Sequence, residues 1–201
     1  MKFAILPVLA LFVCACSETP TETKTKTPEK PPEPITGRQA FQYTYPSARM
    51  WAPDAEPLTV QSLNLEKVTS EDGKAGAWEI VYVSMQLGRA RTYSWSAIEL
   101  DNLHKGVFGG ADEAWRGPVG QQRPFPSQGL KIDTPEALNT ATKEAAKYLS
   151  KPGEKPPITF LLESTPRFPN PVWRVLWGPS VSAAKYSVTV DATTGDPLAR
   201  D

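Results

Sequence analysis

The chain is short of the residues that build metal centres, disulfides and most active sites. Its 201 residues include two cysteines and one histidine. Both cysteines, Cys14 and Cys16, lie close to the N-terminus, so the rest of the chain has no disulfide and depends on its core for stability. Zinc sites need several His or Cys ligands, and only His104 follows Cys16. We therefore expect neither a metal nor another cofactor.

Motifs for catalysis and phosphate binding are also missing. The sequence has no Gly-x-Ser-x-Gly elbow and no G-x-x-x-x-G-K-[ST] loop. His104 lies in a polar stretch after a predicted strand, which favours a solvated turn over a triad histidine. Asp191 to Asp196 offers two carboxylates and two hydroxyls, fewer than the roughly 6–8 oxygen ligands of a calcium site, so a hairpin turn is favoured. We predict no catalytic residue and no enzyme.

Charge and composition restrict the partners. The chain has 22 basic and 22 acidic side chains and a formal net charge of zero, so nothing predicts the basic face that nucleic-acid binding requires. It contains 21 prolines, which predict many loops and extended segments.

The N-terminus has the layout of a secretory signal. Lys2 supplies a positive charge, residues 3–13 are almost wholly apolar, and the stretch ends at Cys14-Ala15-Cys16-Ser17. The apolar run is too short for a membrane span of roughly 20 residues. The segment resembles a bacterial lipoprotein signal, which implies cleavage after residue 15 and lipidation of Cys16. With Ser17 directly after the lipidated cysteine, the sequence resembles lipoproteins that a Gram-negative cell sends to its outer membrane. Such a protein would face the periplasm.

A linker is predicted from residue 16 to residue 35. Residues 17–35 contain five threonines, five prolines and alternating charges. Such a segment buries too little apolar surface to offset its ordering entropy, so it is expected to be a disordered tether.

Residues 36–108 are predicted to form a first α+β module. Thr36 and Gln39 form a capping-box pattern for a helix that Pro46 is expected to kink or divide. Strands are expected over residues 58–68, 77–87 and 91–100, with a turn at Asp72-Gly73.

A second module is predicted over residues 132–201, after a Gly- and Pro-rich connection at 109–131. Thr134 is expected to cap a helix that has Pro135 at its first position and ends before Pro152. Strands are expected over residues 158–163, 172–177 and 185–191. The order of helix and strands thus repeats, and Trp78 and Trp173 correspond at an offset of 95 residues, which predicts an internal duplication of antiparallel helix-on-sheet units.

The second module resembles a PepSY-type domain, a small cystatin-like helix-on-sheet module. The resemblance depends on Trp173-Arg174-Val175 and on the final strand and turn from Tyr186 to Asp196. The first half is a looser copy. PepSY-type modules are regarded as inhibitory or protein-binding elements, so the resemblance implies a binding role and no catalysis.

The stretch from Gly106 to Gly129 is long for a connection and carries aromatic side chains among Gly, Pro and Gln. Long loops of this kind are often functional, and aromatics with arginine are favoured binding anchors. Trp115, Arg116 and Phe125 are therefore candidate binding residues. The alternative is that the aromatic rings pin the connection onto the sheets.

Together these features predict a cell-envelope lipoprotein that is held to the membrane by the lipid on Cys16. Its expected role is non-catalytic binding of an unknown envelope protein or peptide, with peptidase inhibition as one form of that role. The alternative is a structural or assembly lipoprotein that supports an envelope complex.

Overall fold

One antiparallel sheet of eight strands organises the fold. The computed structural model describes residues 32–118, 120–153 and 156–201, and the residues from Pro32 onward form one compact unit. The predicted signal (1–15), Cys16 and the linker up to residue 31 lie outside the described residues. The helices and strands, in chain order, are β1 (Ile35–Thr36), α1 (Gly37–Trp51), β2 (Glu56–Leu63), β3 (Lys74–Ala75), β4 (Ala77–Ser84), β5 (Arg89–Ser96), β6 (Gly106–Ala114), α2 (Thr134–Glu144), α3 (Ala146–Leu149), β7 (Ile158–Glu163), β8 (Val172–Trp177), β9 (Tyr186–Asp191) and β10 (Pro197–Arg200).

The eight strands lie in the order β10-β9-β8-β7-β2-β4-β5-β6, and β1 and β3 form a separate two-stranded sheet. Helix α1 packs on β4 and β5, and α2 packs on β8 and β9. The core therefore lies between the helices and one face of the sheet. The α+β class is confirmed, whereas the strands of the two halves belong to one sheet and not to two separate ones.

Helix α1 begins as the sequence predicts. Thr36 accepts a hydrogen bond from the Gln39 amide, and the Gln39 side chain accepts one from the Thr36 amide, which completes the capping box. Of the two effects expected of Pro46, a kink or a division of the helix, the division is wrong, because one helix continues through that residue. Proline removes one hydrogen bond within the helix, and burial of Phe41 and Ala48 on either side of it stabilises the helix against this loss.

Helix α2 begins one residue earlier than predicted. Asp133 is the N-cap, and its carboxylate accepts a hydrogen bond of 2.7 Å from the amide of Thr134. Thr134 does not cap the helix, because its hydroxyl is used elsewhere: it donates to the carbonyl of Gly73. The helical segment is also interrupted at Ala145, where α2 ends and the four-residue α3 follows.

The two halves join edge to edge at the centre of the sheet. Strand β2 pairs with β7 in antiparallel register, with Val60 opposite Leu162. Above this pairing, the rings of Trp78 and Trp173 meet edge to face with their centroids 6.5 Å apart. Both tryptophans are fully buried, so the hydrophobic core is continuous across the joint.

The N-termini of α1 and α2 meet at the same joint. The amide of Gly37 donates to the hydroxyl of Thr134 over 3.1 Å, and the amide of Arg38 donates to the carboxylate of Asp133 over 2.9 Å. One carboxylate thus satisfies an amide in each helix, where the helix dipoles favour negative charge.

The two predicted turns are present. Asp72 and Gly73 both have positive φ, at 49° and 79°, as a two-residue type I′ hairpin requires. Asp191 accepts hydrogen bonds from the amides of Thr193 and Thr194 at 2.7 and 3.0 Å. Burial alone would raise the pKa of the Asp191 carboxyl, but these hydrogen bonds and one from Asn170 outweigh it and hold the pKa below its ordinary value.

Two predicted boundaries are wrong. Ile35 is the last residue of the predicted linker, yet it is buried and pairs with Ala75 in the small sheet. The connection predicted from residue 109 instead continues strand β6 as far as Ala114. Glycine and acidic residues have low intrinsic preference for strands, but pairing with β5 on both sides of a register shift overrides that preference.

Candidate functional site

The two outer strands of the sheet differ in how they are protected. Strand β10 has four residues, begins with Pro197 and has an irregular register against β9. Its Arg200 forms an ion pair with Glu144 of α2. Short length, proline and bulges are the features by which proteins block pairing at a sheet edge. The β10 edge is therefore poorly suited to accept another strand.

Strand β6 forms an open edge. It has nine residues, GVFGGADEA, without lysine, arginine or proline, and among the described strands it pairs with β5 alone. A register shift opposite Thr92 bends its middle, while Gly106 to Gly109 pair regularly with Ser96 to Tyr93. Most residues of the strand are exposed. An exposed strand of this length presents unpaired backbone N–H and C=O groups to a partner.

The N-terminal end of β6 is fixed by a polar cluster. The Glu99 carboxylate accepts hydrogen bonds from the Lys105 amide at 2.7 Å and pairs with the His104 ring at 2.8 Å. These two hydrogen bonds, the one from Lys105 first, hold the pKa of Glu99 below its ordinary value. The His104 ring lies against Phe108 with the centroids 4.3 Å apart. His104 thus has a structural partner in an exposed turn, in accord with the sequence-based interpretation.

The C-terminal end of β6 is fixed to β5 and α1. Asp112 accepts a hydrogen bond of 2.5 Å from Arg91 and one of 3.3 Å from the indole of Trp51. The Arg91 guanidinium also lies 5.4 Å from the centre of the Trp51 ring. Contact with Tyr93, and then with Asp112, raises the pKa of Arg91. With both ends held, the edge is ordered before any partner binds, which lowers the entropy cost of binding.

Exposed apolar side chains concentrate in the half of the chain that contains β6. In the described part, six of the seven exposed large apolar residues fall within residues 43–108: Tyr43, Met50, Met85, Leu87, Val107 and Phe108, with Leu198 the seventh. Val107 lies opposite Trp95 on the helix side of the sheet, and Trp95 contacts the Tyr43 ring. Phe108 is on the other side. An added strand would therefore find apolar contacts on both faces of β6.

This edge is suited to pairing with a partner strand that extends the sheet. In strand addition, backbone hydrogen bonds supply affinity and the side chains on alternate sides supply specificity. This site cannot be recognised from the sequence, because the glycines of β6 hide the alternation of Val107 and Phe108.

The predicted binding residues do not form an exposed cluster. Phe125 is 2% exposed and belongs to the core, where its amide donates to the carbonyl of Pro57. Trp115 is 8% exposed, and its amide donates to the carbonyl of Gly88. Arg116 is exposed. The burial of both rings favours the alternative that they pin the connection onto the sheet.

Within residues 32–118, 120–153 and 156–201, no group of three or more His, Cys, Asp or Glu residues could hold a metal ion. No helix of the described part is long and apolar enough to cross a membrane.

Comparisons with known proteins give one fold likeness. No family model matches the chain. No curated protein sequence matches it either. A crystal structure of a candidate lipoprotein from Clostridium difficile 630 is similar over 87% of this chain and 95% of that chain, with 12% identity and a TM-score of 0.47. A likeness at that score supports no conclusion about function.

Proposed function

We propose that this protein is a cell-envelope lipoprotein that binds an extended segment of a partner protein or peptide along β6 and catalyses no reaction. The observation that carries the proposal is the contrast between the two edges of the sheet: β10 is short and begins with proline, whereas β6 is long, exposed and ordered at both ends.

The lipid anchor rests on the sequence of the leader. A lipidated Cys16 followed by a threonine- and proline-rich segment would hold the domain at a distance from the membrane surface. Two proteins held at the same membrane surface meet at a raised effective concentration. An edge of modest affinity would then be sufficient for binding within the envelope.

The charges of β6 define the partner that fits. His104 and Lys105 precede the strand, and Asp112 and Glu113 lie near its end. A partner strand that pairs antiparallel with β6 places its own beginning beside Glu113 and its end beside Lys105. We therefore expect a segment with a basic N-terminal end, an acidic C-terminal end and apolar residues between them, because opposite charges across strands are stabilising.

Internal duplication is also part of the proposal, as is a likeness of each half to PepSY-type modules. Each half consists of a helix followed by strands of the main sheet. The buried indole of Trp78 donates to the carbonyl of Ile35, and that of Trp173 donates to Ile132, at 3.0 and 2.9 Å. Each tryptophan thus holds the segment that enters its own helix, as duplicated units would require.

Photo-crosslinking in living cells tests the proposed function. A photoreactive residue replaces Phe108 on β6 in one variant and Leu198 on β10 in a matched control, since both positions are exposed outer-strand residues. We expect a discrete adduct with one envelope protein from position 108 and none from position 198. Equal adducts from both positions, or none from 108, would contradict the proposal.

A further inference from the structure

A second polar site lies on the face of the sheet opposite the helices. Side chains alternate between the two faces of a strand, so Glu163 of β7, Arg174 of β8 and Thr189 of β9 share the face that α1 and α2 do not cover. These three residues form the floor of a cavity of about 260 Å³. Gln121, Arg167 and Phe168 contribute walls.

The floor contains buried polar groups with unused hydrogen-bonding capacity. Thr189 is 2% exposed as a residue and lines the cavity. Glu163 is 8% exposed, and each of its carboxylate oxygens has one partner: Gln122 at 3.1 Å and Arg174 at 3.4 Å. A hydroxyl can donate once and accept twice, and a carboxylate has about four acceptor positions. The remaining donor and acceptor positions of these groups could therefore be used by a ligand.

The cavity offers both signs of charge side by side: Glu163 and Asp201 are acidic, and Arg167 and Arg174 are basic. The Arg174 side chain is 31% exposed, and its one hydrogen bond within the described part is the long one to Glu163, which leaves its other N–H groups able to donate. On the wall, the Arg167 guanidinium lies 5.0 Å from the centre of the Phe168 ring. Phe168 and Val172 add apolar surface.

From this arrangement we propose that the cavity binds a small zwitterion of the α-amino-acid type with an apolar side chain. The ligand carboxylate would accept hydrogen bonds from Arg174, and its ammonium group would donate to Glu163 and Thr189. An α-amino acid carries its ammonium and carboxylate groups on the same carbon atom, which matches the adjacent guanidinium and carboxylate of the floor. The volume of about 260 Å³ lies a little below the range of drug-sized sites, which begins at about 300 Å³, and therefore suits a small ligand. This site is separate from β6 and does not depend on the function proposed for that edge.

Titration of the purified full-length protein with L-leucine, followed by isothermal calorimetry, tests the proposal. Two analogues test the charged groups of leucine separately: 4-methylpentanoate lacks the ammonium group and 3-methylbutylamine lacks the carboxylate. We expect saturable binding of L-leucine and at least about tenfold weaker binding of each analogue, since each loses a charge-assisted contact. Absence of saturable binding would overturn the proposal, and so would equal affinity for 4-methylpentanoate, which would indicate an anion site.

Variants of the floor complete the test. Glu163→Gln and Arg174→Met should each weaken L-leucine binding by about tenfold or more, and the isosteric Thr189→Val should weaken it severalfold while a normal thermal transition shows that the fold is kept. Arg116→Met is the matched control, because Arg116 is exposed and does not line the cavity. Unchanged affinity in Thr189→Val and Arg174→Met would contradict the assigned contacts.

Discussion

Replacing Asp133 by alanine should destabilise both halves of the protein at once. The Asp133 carboxylate accepts the amide of Thr134 at the start of α2 and the amide of Arg38 at the start of α1. These two residues belong to different halves of the chain, so the carboxylate joins the helices at the centre of the fold. We therefore expect the substitution to weaken the joint as well as one helix.

The size of the effect follows from the two hydrogen bonds. Loss of an N-cap costs about 1 kcal/mol. A partly buried amide without a partner, here that of Arg38, adds about 1–3 kcal/mol. The free energy of unfolding should thus fall by about 2–4 kcal/mol, which is a large part of the roughly 5–15 kcal/mol typical of a domain. Asp133→Asn keeps an acceptor oxygen and should lose less.

Urea denaturation followed by tryptophan fluorescence measures this loss. Trp78 and Trp173 lie in different halves and touch across the joint, so the fluorescence reports on both. Asp101→Ala at an exposed turn is the control, expected within about 0.5 kcal/mol of the parent. A loss below about 0.5 kcal/mol in Asp133→Ala would refute the stabilising role of this carboxylate. Two separate unfolding transitions would refute the view that the halves form one cooperative unit.

Two further predictions concern packing and pH. An added Cβ at Gly37 would lie 2.6 Å from a ring atom of the fully buried Trp173, so Gly37→Ala should lower the free energy of unfolding by about 1–2 kcal/mol, whereas Gln42→Ala on the exposed side of α1 should not; equal stability in both variants would contradict the packing. Asp191→Asn should cost about 1–3 kcal/mol at neutral pH. Because the folded-state pKa of Asp191 is lowered from 3.8, its contribution is present above that value and is lost as the pH falls through the lower folded-state pKa, so the difference between parent and variant should shrink below about pH 4. A difference that grows on acidification in urea titrations would show that the sign is wrong.

The most regular strands could be predicted from sequence alone. Strands β7 and β8 have the predicted bounds, Ile158–Glu163 and Val172–Trp177, because β-branched and aromatic residues fill them and prolines lie outside them. The capping box at Thr36 and the turn at Asp72-Gly73 are likewise local signals, because the residues that form them are close together in the sequence.

Features that depend on distant contacts could not be predicted. Strand β6 exists because β5 provides its partner, and its own glycines argue against a strand. Asp133 caps α2 because the hydroxyl of Thr134 instead donates a hydrogen bond to the carbonyl of Gly73, which is distant in sequence. Pairing of β2 with β7 leaves no local trace in either strand. The candidate site on β6 was missed for the same reason, since an edge is defined by the position of a strand in the sheet.

Hydrogen–deuterium exchange shows whether a bound partner adds a strand to the open edge of β6. The purified protein is compared with and without a synthetic peptide of the segment crosslinked at position 108, and exchange is followed in fragments covering residues 106–114 and 197–200. Amides at an open edge exchange readily unless another strand pairs with them. We expect the peptide to slow exchange in 106–114 and to leave exchange in 197–200 unchanged. Binding of the peptide with no added protection of 106–114 would contradict it.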